Sequence, residues 1–115
     1  TRNLTSADAL ITGTATGQEL GTEVDGADID GDGVTDLLIG SKFVDAWAFF
    51  GPVSGTLDTT DADNTFDTPA ASYGSIANAG DVEGFGFDSV LVSVPRDDAG
   101  AGDAGAVYLF HGAGR

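Results

Sequence analysis

Residues 28–40 read DIDGDGVTDLLIG, an acidic loop with two glycines that runs directly into an apolar segment. Glycines at 31 and 33 permit the positive φ angles that a tight wrap needs. Oxygen ligands at this spacing suit Ca²⁺, which takes roughly six to eight oxygens at about 2.3–2.6 Å in adaptable geometry. The loop therefore predicts a calcium site. Its ligands are the side chains at loop positions 1, 3, 5 and 9 and the backbone carbonyl at position 7: Asp28, Asp30, Asp32, Asp36 and Val34.

Other interpretations of this loop are weaker. An EF-hand needs a bidentate Glu at position 12 and a helix on each side, but position 12 is Ile39, inside the apolar run. Magnesium usually demands stricter octahedral geometry, and zinc prefers His or Cys, which the loop lacks. A solvated Asp-Gly turn without a metal stays open, although carboxylates this close repel one another by about 1 kcal/mol or more per pair.

The chain as a whole is strongly acidic. Its 115 residues carry 19 Asp and Glu against 4 Lys and Arg, a formal net charge of -15. This charge disfavours nucleic acid as a partner and favours cations. Cysteine is absent, and no apolar run is long enough to insert into a membrane. The single histidine, His111, has no recognisable Ser partner for a nucleophilic triad, so we predict that the protein is not an enzyme.

The chain contains two copies of one unit, residues 1–56 and 57–115. An offset of 53 residues aligns glycines, acids and an apolar run of the first copy with those of the second. The flanking segments align at slightly different offsets, and the second copy has eight extra residues before its last aligned segment. The aligned pairs are GTEVDGADIDGDGVTDLLIG (21–40) with GSIANAGDVEGFGFDSVLVS (74–93), ADALI (7–11) with ADNTF (62–66), and VDAWAFFG (44–51) with GAVYLFHG (105–112).

The acidic loop is eroded in the second copy. One carboxylate is lost, another is displaced to Asp88, and the candidate ligands that remain are Asp81, Glu83 and Ser89. We predict that this loop keeps its bend through its glycines while Phe85 packs, and that it is the weaker candidate for a metal.

Short strands separated by Gly and Asp turns account for both copies, and no helix is predicted. Apolar residues at consecutive positions, as in LLI (37–39) and VLV (90–92), place hydrophobic side chains on both faces of a sheet. Sheets covered on both faces are typical of propeller blades, whereas a two-sheet sandwich would alternate more cleanly. The predicted strands lie near 9–12, 21–27, 35–40, 44–50, 65–67, 74–80, 88–94 and 105–111.

Together these motifs resemble the FG-GAP repeat of integrin alpha-subunit propellers. Leu20-Gly21 and Tyr73-Gly74 stand where the family has Phe-Gly, and DIDGDGVTD stands where it has its calcium hairpin. The resemblance implies an all-β fold of two four-stranded antiparallel blades. It also implies a calcium-stiffened propeller that serves adhesion or ligand recognition outside the cell or at its surface.

Two blades cannot close a propeller, which typically has about four to eight. Either a longer parent chain or a homo-oligomer would supply the others. Three functions remain open: a module that recognises a protein or carbohydrate ligand, a self-assembling structural fragment without a ligand, and the propeller part of a hydrolase whose catalytic residues lie elsewhere.

Overall fold

A computed structural model describes residues 1–42, 45–68 and 74–114, and in these ranges the chain is all-β apart from two short 3₁₀ helices, η1 (Leu4–Ser6) and η2 (Thr59–Asp61). The all-β prediction is confirmed. Of the predicted strand and motif residues, Val44 and Tyr73 lie outside the described ranges. The strands are β1 (Ala9–Thr12), β2 (Leu20–Ala27), β3 (Asp36–Ser41), β4 (Ala46–Phe49), β5 (Gly55–Asp58), β6 (Asn64–Phe66), β7 (Ser75–Gly80), β8 (Ser89–Val94) and β9 (Ala106–Phe110).

In the described parts of the chain these strands form two antiparallel sheets and one parallel pair. The first sheet has the order β2-β3-β4-β6, the second has the order β7-β8-β9, and β1 pairs in parallel with β5. Antiparallel blades are therefore confirmed, but four strands are found only in the first. No helix within these ranges is long and apolar enough to cross a membrane.

The membership of the first sheet differs from the prediction. Its outer strand is β6, which the sequence repeat assigns to the second unit, whereas β1 leaves its own unit's sheet and pairs with β5. The reason is that alternation and turn residues identify a strand but not its partner. The free edge of β4 is filled by the strand that the chain brings back after β5 and η2.

The first sheet buries both of its faces, as LLI predicts. Leu38, which is 0% exposed, packs in a hydrophobic cluster with Val90 and Val92 of the second sheet. The next residue, Ile39, points the other way and packs with Trp47 in a separate cluster that includes Leu57 of the β1–β5 pair. Consecutive apolar residues therefore serve two different interfaces.

Described residues cover the second sheet on one face only. Val90 and Val92 face the first sheet, and the Phe110 ring lies 5.2 Å from the Phe66 ring across the gap between the sheets. On β9, Val107 is 66% exposed and Leu109 is 45% exposed. Within the chain, nothing described covers this second apolar face.

Candidate metal centre

The acidic loop joins β2 to β3, so it lies between two strands rather than between two helices. Gly31 and Gly33 adopt φ angles of 74° and 85°, as the wrap requires. These angles favour glycine because a Cβ would crowd the backbone. The local geometry expected from the sequence is therefore present.

Three of the predicted ligands converge. One carboxylate oxygen from each of Asp28, Asp30 and Asp36 lies within 4.8 Å of the others. Two oxygens bound to one Ca²⁺ can be separated by at most twice the Ca–O distance, about 4.6–5.2 Å. Asp36 is 0% exposed and Asp30 is 5% exposed, so two of the three carboxylates are withdrawn from water. The cluster has the spacing and the hard oxygen donors that calcium needs.

Asp36 also fastens the loop to the rest of the first sheet. Its Oδ2 accepts a hydrogen bond of 2.8 Å from the backbone N–H of Ile29, and its Oδ1 accepts one of 2.9 Å from that of Gly51. A carboxylate oxygen has two lone pairs, so each of these atoms could still face a cation. Asp36 thus combines a structural role with its place in the cluster.

The remaining loop bonds shape the wrap. Asp28 accepts from the N–H groups of Asp32 and Gly33, at 3.1 and 2.9 Å. Asp32 is exposed and lies outside the group of three carboxylates, and its Oδ1 accepts from the N–H of Val34 at 2.8 Å. Asp32 and the carbonyl of Val34 stay predicted ligands.

The candidate ligands of the second loop have separate partners. Asp81 accepts from the N–H groups of Gly84 and Gly86, both at 2.8 Å, which confirms the expected bend. Glu83 lies 2.9 Å from His111, and the Ser89 hydroxyl is 3.2 Å from the same ring. In the described residues this loop offers no cluster of three or more His, Cys, Asp or Glu, and its weaker metal site stays a prediction.

The aromatic residue that packs in this loop is not the predicted one. Phe85 is 73% exposed, so the expectation that it packs is wrong. Phe87 fills that role, because a Cβ built on Gly31 would meet its ring at 2.6 Å. The prediction failed because the packing surface belongs to the other blade, which the local sequence does not reveal.

Ser89, His111 and Glu83 resemble a hydrolase triad in composition but not in geometry. The sequence alone does not indicate a Ser partner for His111, because Ser89 becomes its neighbour through the pairing of β8 with β9. Both Ser89 and Glu83 contact the same nitrogen, Nδ1. A triad needs the hydroxyl and the carboxylate on opposite ring nitrogens. This arrangement therefore cannot relay a proton as a triad does.

A junction between the two blades starts at the first residue of the metal loop, and the sequence had not predicted it. Asp88 accepts from the N–H of Asp28 at 2.9 Å and donates its own N–H to the Asp28 carbonyl at 2.8 Å. Asn78 donates its N–H to Asp25 at 2.8 Å and its side-chain amide to Gly26 at 2.9 Å. The displaced Asp88 thus couples the second blade to the first loop.

The inserted segment before β9 is held by a pair of titratable side chains. The Tyr108 hydroxyl donates to Asp97, and this bond, with a second one from the Ala99 N–H, holds the pKa of Asp97 below its usual value. The same bond raises the pKa of Tyr108. The pair is therefore most stable as a carboxylate beside a protonated phenol.

Comparisons with known proteins agree with this architecture. The FG-GAP repeat model matches residues 20–58, which span the acidic loop and strands β2 to β5. The chain is 32% identical over 106 residues to integrin alpha-4 of Xenopus laevis, covering 84% of this chain and 10% of that protein. It is 33% identical over 130 residues to integrin alpha-11 of Homo sapiens, covering 96% of this chain and 10% of that protein. The chain thus spans about a tenth of the length of these curated relatives. With the acidic hairpin and the antiparallel blades, these matches show that the chain belongs to the FG-GAP repeat family.

Proposed function

We propose that the first loop binds calcium and that the ion stiffens this blade pair as part of an integrin-like propeller. The observation that carries the proposal is the convergence of Asp28, Asp30 and Asp36 within 4.8 Å, with two of the three buried. Carboxylates brought this close repel one another, and more strongly where they are withdrawn from water. A divalent ion bound by these residues would offset their repulsion and close the loop between β2 and β3.

The same ion would stabilise the contact between the blades. Asp28 is bonded in both directions to Asp88 of the second blade, and Asp36 is bonded to Gly51 after β4. Because these residues are both cluster members and junction residues, filling the cluster orders two other parts of the fold. Calcium would therefore act as a structural element rather than as a catalyst, and we propose no enzymatic activity.

For the assembled protein we propose adhesion or ligand recognition at the cell surface or outside the cell, with a protein or carbohydrate ligand. The relatives that match are integrin alpha chains, and the net charge of -15 argues against nucleic acid. Calcium sites of extracellular modules have dissociation constants of about 10⁻⁴–10⁻³ M, which suits such a setting.

Calcium binding can be tested by calorimetric titration and by thermal melts in chelator and in calcium. We expect one calcium-dependent rise in Tm that Asp30→Asn removes and that Asp81→Asn, the same kind of substitution in the second loop, leaves in place. A wild-type melt that is identical in chelator and in excess calcium would refute the proposal.

A second function, self-assembly into a closed homo-oligomer, is favoured by one separate observation. The second sheet has an apolar face with Val107 and Leu109 exposed, whereas the corresponding face of the first sheet is buried. Light scattering on the 115-residue chain tests this function. A mass of three or four chains would give six or eight blades, and a monomer at all concentrations would contradict self-assembly.

A further inference from the structure

We propose that the outer edge of β9, with which no described strand pairs, receives β1 from a second copy of this chain, so that copies associate head to tail. The proposed register places Ala9 opposite Leu109, Leu10 opposite Tyr108 and Ile11 opposite Val107. This inference rests on the self-assembly function proposed above and names its interface.

In the second sheet, β9 occupies the position that β4 occupies in the first. Within the first sheet, residues 37, 38, 39 and 40 pair with 49, 48, 47 and 46. Within the second sheet, residues 90, 91, 92 and 93 pair with 110, 109, 108 and 107. The two registers superimpose with the offsets of 53 and 61 residues that the sequence repeat implies. The edge of β9 that faces away from β8 is therefore equivalent to the edge of β4 that binds β6.

Strand β1 has the same local structure as β6. Each follows a 3₁₀ helix with a capping box at its start, and the two helices lie 55 residues apart. The residues that follow these helices have nearly the same backbone angles: φ -65° and ψ 141° at Ala7, and φ -62° and ψ 142° at Ala62. The chain therefore carries two copies of one helix–strand unit, and one of them, β6, already serves as an outer strand on β4.

The register proposed for β9 and β1 is the register that β4 and β6 already have. β6 pairs with β4 through Ala46 and Phe66, Trp47 and Thr65, and Ala48 and Asn64. Carried across by the repeat offsets, these pairs give the register proposed for β9 and β1. The helix–strand unit also makes two hydrogen bonds just before β6. Asp63 donates its N–H to the Ala48 carbonyl at 2.9 Å, and its carboxylate accepts from the Phe50 N–H at 2.7 Å. The equivalent residue of β1 is Asp8, whose side chain is exposed in the single chain.

Strand β1 can bind β9 without leaving β5. The Gly55 N–H donates to the Asp8 carbonyl at 3.0 Å, and the parallel ladder continues from there. Backbone groups of alternate residues in a strand point to opposite edges. Asp8 and Leu10 therefore face β5, whereas Ala9 and Ile11 present their backbone groups at the other edge, where the proposed partner would lie.

Burial supports the same pairing. Ala46 and Ala48 are 0% exposed, whereas their equivalents on β9, Val107 and Leu109, are 66% and 45% exposed. A second copy that adds its β1 to β9 would also place its own first sheet over this face. The second sheet covers Leu38 of the first sheet within one chain in the same way. Because the two surfaces differ, the contact is heterologous, and it produces a ring if the rotation closes and an open chain if it does not.

Cysteine cross-linking tests the register, since the chain has no native cysteine. Directly opposite residues have Cα atoms about 4.5–5.5 Å apart, within the range of about 4.4–6.8 Å for a disulfide. We expect Ala9→Cys with Leu109→Cys to form disulfide-linked multimers under oxidation. Leu10→Cys with Leu109→Cys should form few or none, because a slip of one residue turns the side chain to the other face.

The matched positive control lies within one chain. Ala48→Cys with Asn64→Cys has the equivalent register and should close an intrachain disulfide. If this control closes while the pair at 9 and 109 does not link copies, the proposed register is wrong. The register would also be wrong if Ala9→Cys with Leu109→Cys and Leu10→Cys with Leu109→Cys linked copies to the same extent.

A variant without cysteine gives a second measurement. Val107→Lys places an ammonium group in the proposed contact at an exposed position, so the fold and its Tm should be kept. We expect the half-association concentration to rise by about tenfold or more, because a charge would be buried without a partner. Val82→Lys, on another exposed valine, is the control and should associate like wild type. If Val107→Lys leaves association unchanged, this interface is wrong. A monomeric wild type overturns self-assembly as well. The thermal melts in calcium test the metal site separately.

Discussion

Replacement of Asp30 by asparagine separates the electrostatics of the loop from its hydrogen bonding. Asp30 belongs to two of the three carboxylate pairs within 4.8 Å. At that separation each pair repels by about 0.9 kcal/mol in the dielectric of water and about 3.5 kcal/mol at an effective dielectric constant of about 20. The substitution would remove both repulsive pairs, yet the amide oxygen of the new side chain could still accept the bond of 3.2 Å from the Asp32 N–H.

The expected effect has opposite signs with and without calcium. In chelator, the weaker repulsion, that at the dielectric of water, predicts that the variant gains about 2 kcal/mol in free energy of unfolding. This gain corresponds to about 8 °C in Tm, at roughly 4 °C per kcal/mol for a domain of this size. In calcium at a hundred times the Kd, wild type gains about 2.7 kcal/mol and the variant gains little. Asp30→Asn should therefore melt above wild type in chelator, and calcium should narrow or reverse that order.

Thermal melts followed by circular dichroism at fixed ionic strength measure both effects. Asp67→Asn removes one exposed negative charge outside the loop and controls for net charge. It should change neither the Tm in chelator nor the calcium-induced shift by much. The reasoning fails if Asp30→Asn melts below wild type in chelator, or if it keeps the full calcium-induced shift.

Three further predictions follow from burial, pKa and packing. Asp36→Ala leaves two buried backbone N–H groups without their acceptor, a loss of about 2–6 kcal/mol, and also removes two repulsive carboxylate pairs worth about 2 kcal/mol, so urea denaturation in chelator should show a net loss of up to about 4 kcal/mol; a net gain in stability would contradict this. Tyr108→Phe should lower Tm at neutral pH. Because the pKa of Asp97 is lowered and that of Tyr108 is raised, the difference in Tm between this variant and wild type should shrink as pH falls below about 4 and as pH rises above about 10. A gap that does not vary with pH would argue against the pair. Leu38→Ala should cost about 2–5 kcal/mol, whereas Leu91→Ala, its half-buried repeat equivalent, should cost clearly less in the monomer; equal costs would show that the two faces are covered alike.

Features that depend on neighbours along the chain could be predicted without a structure. The positive φ angles at Gly31 and Gly33, the strands on either side of the acidic loop and the division of LLI between two faces were all predicted correctly. The repeat offsets also reappear in the pairing of β3 with β4 and of β8 with β9. Each of these features follows from a local rule about backbone conformation or side-chain alternation.

Features that depend on contacts between distant segments could not be predicted. Asp88 was interpreted as a displaced ligand, but it binds the backbone of Asp28 in the other blade. Phe85 was expected to pack, but Phe87 is the residue that meets Gly31. The residue types at these positions are equally compatible with a loop that faces solvent. Only the packing of one blade on the other decides which side chain is used.

The amino-acid sequence alone thus determined the strands other than β5 and the acidic hairpin, and it predicted the candidate calcium ligands and the two repeats, because spacing and alternation act over a few residues. Tertiary structure alone decided that β6 completes the first sheet, that β1 pairs with β5, and that no strand of the described ranges pairs with the outer edge of β9. Strand partners are chosen by the free energy of the whole assembled sheet, in which edge hydrogen bonds and buried faces compete over long separations.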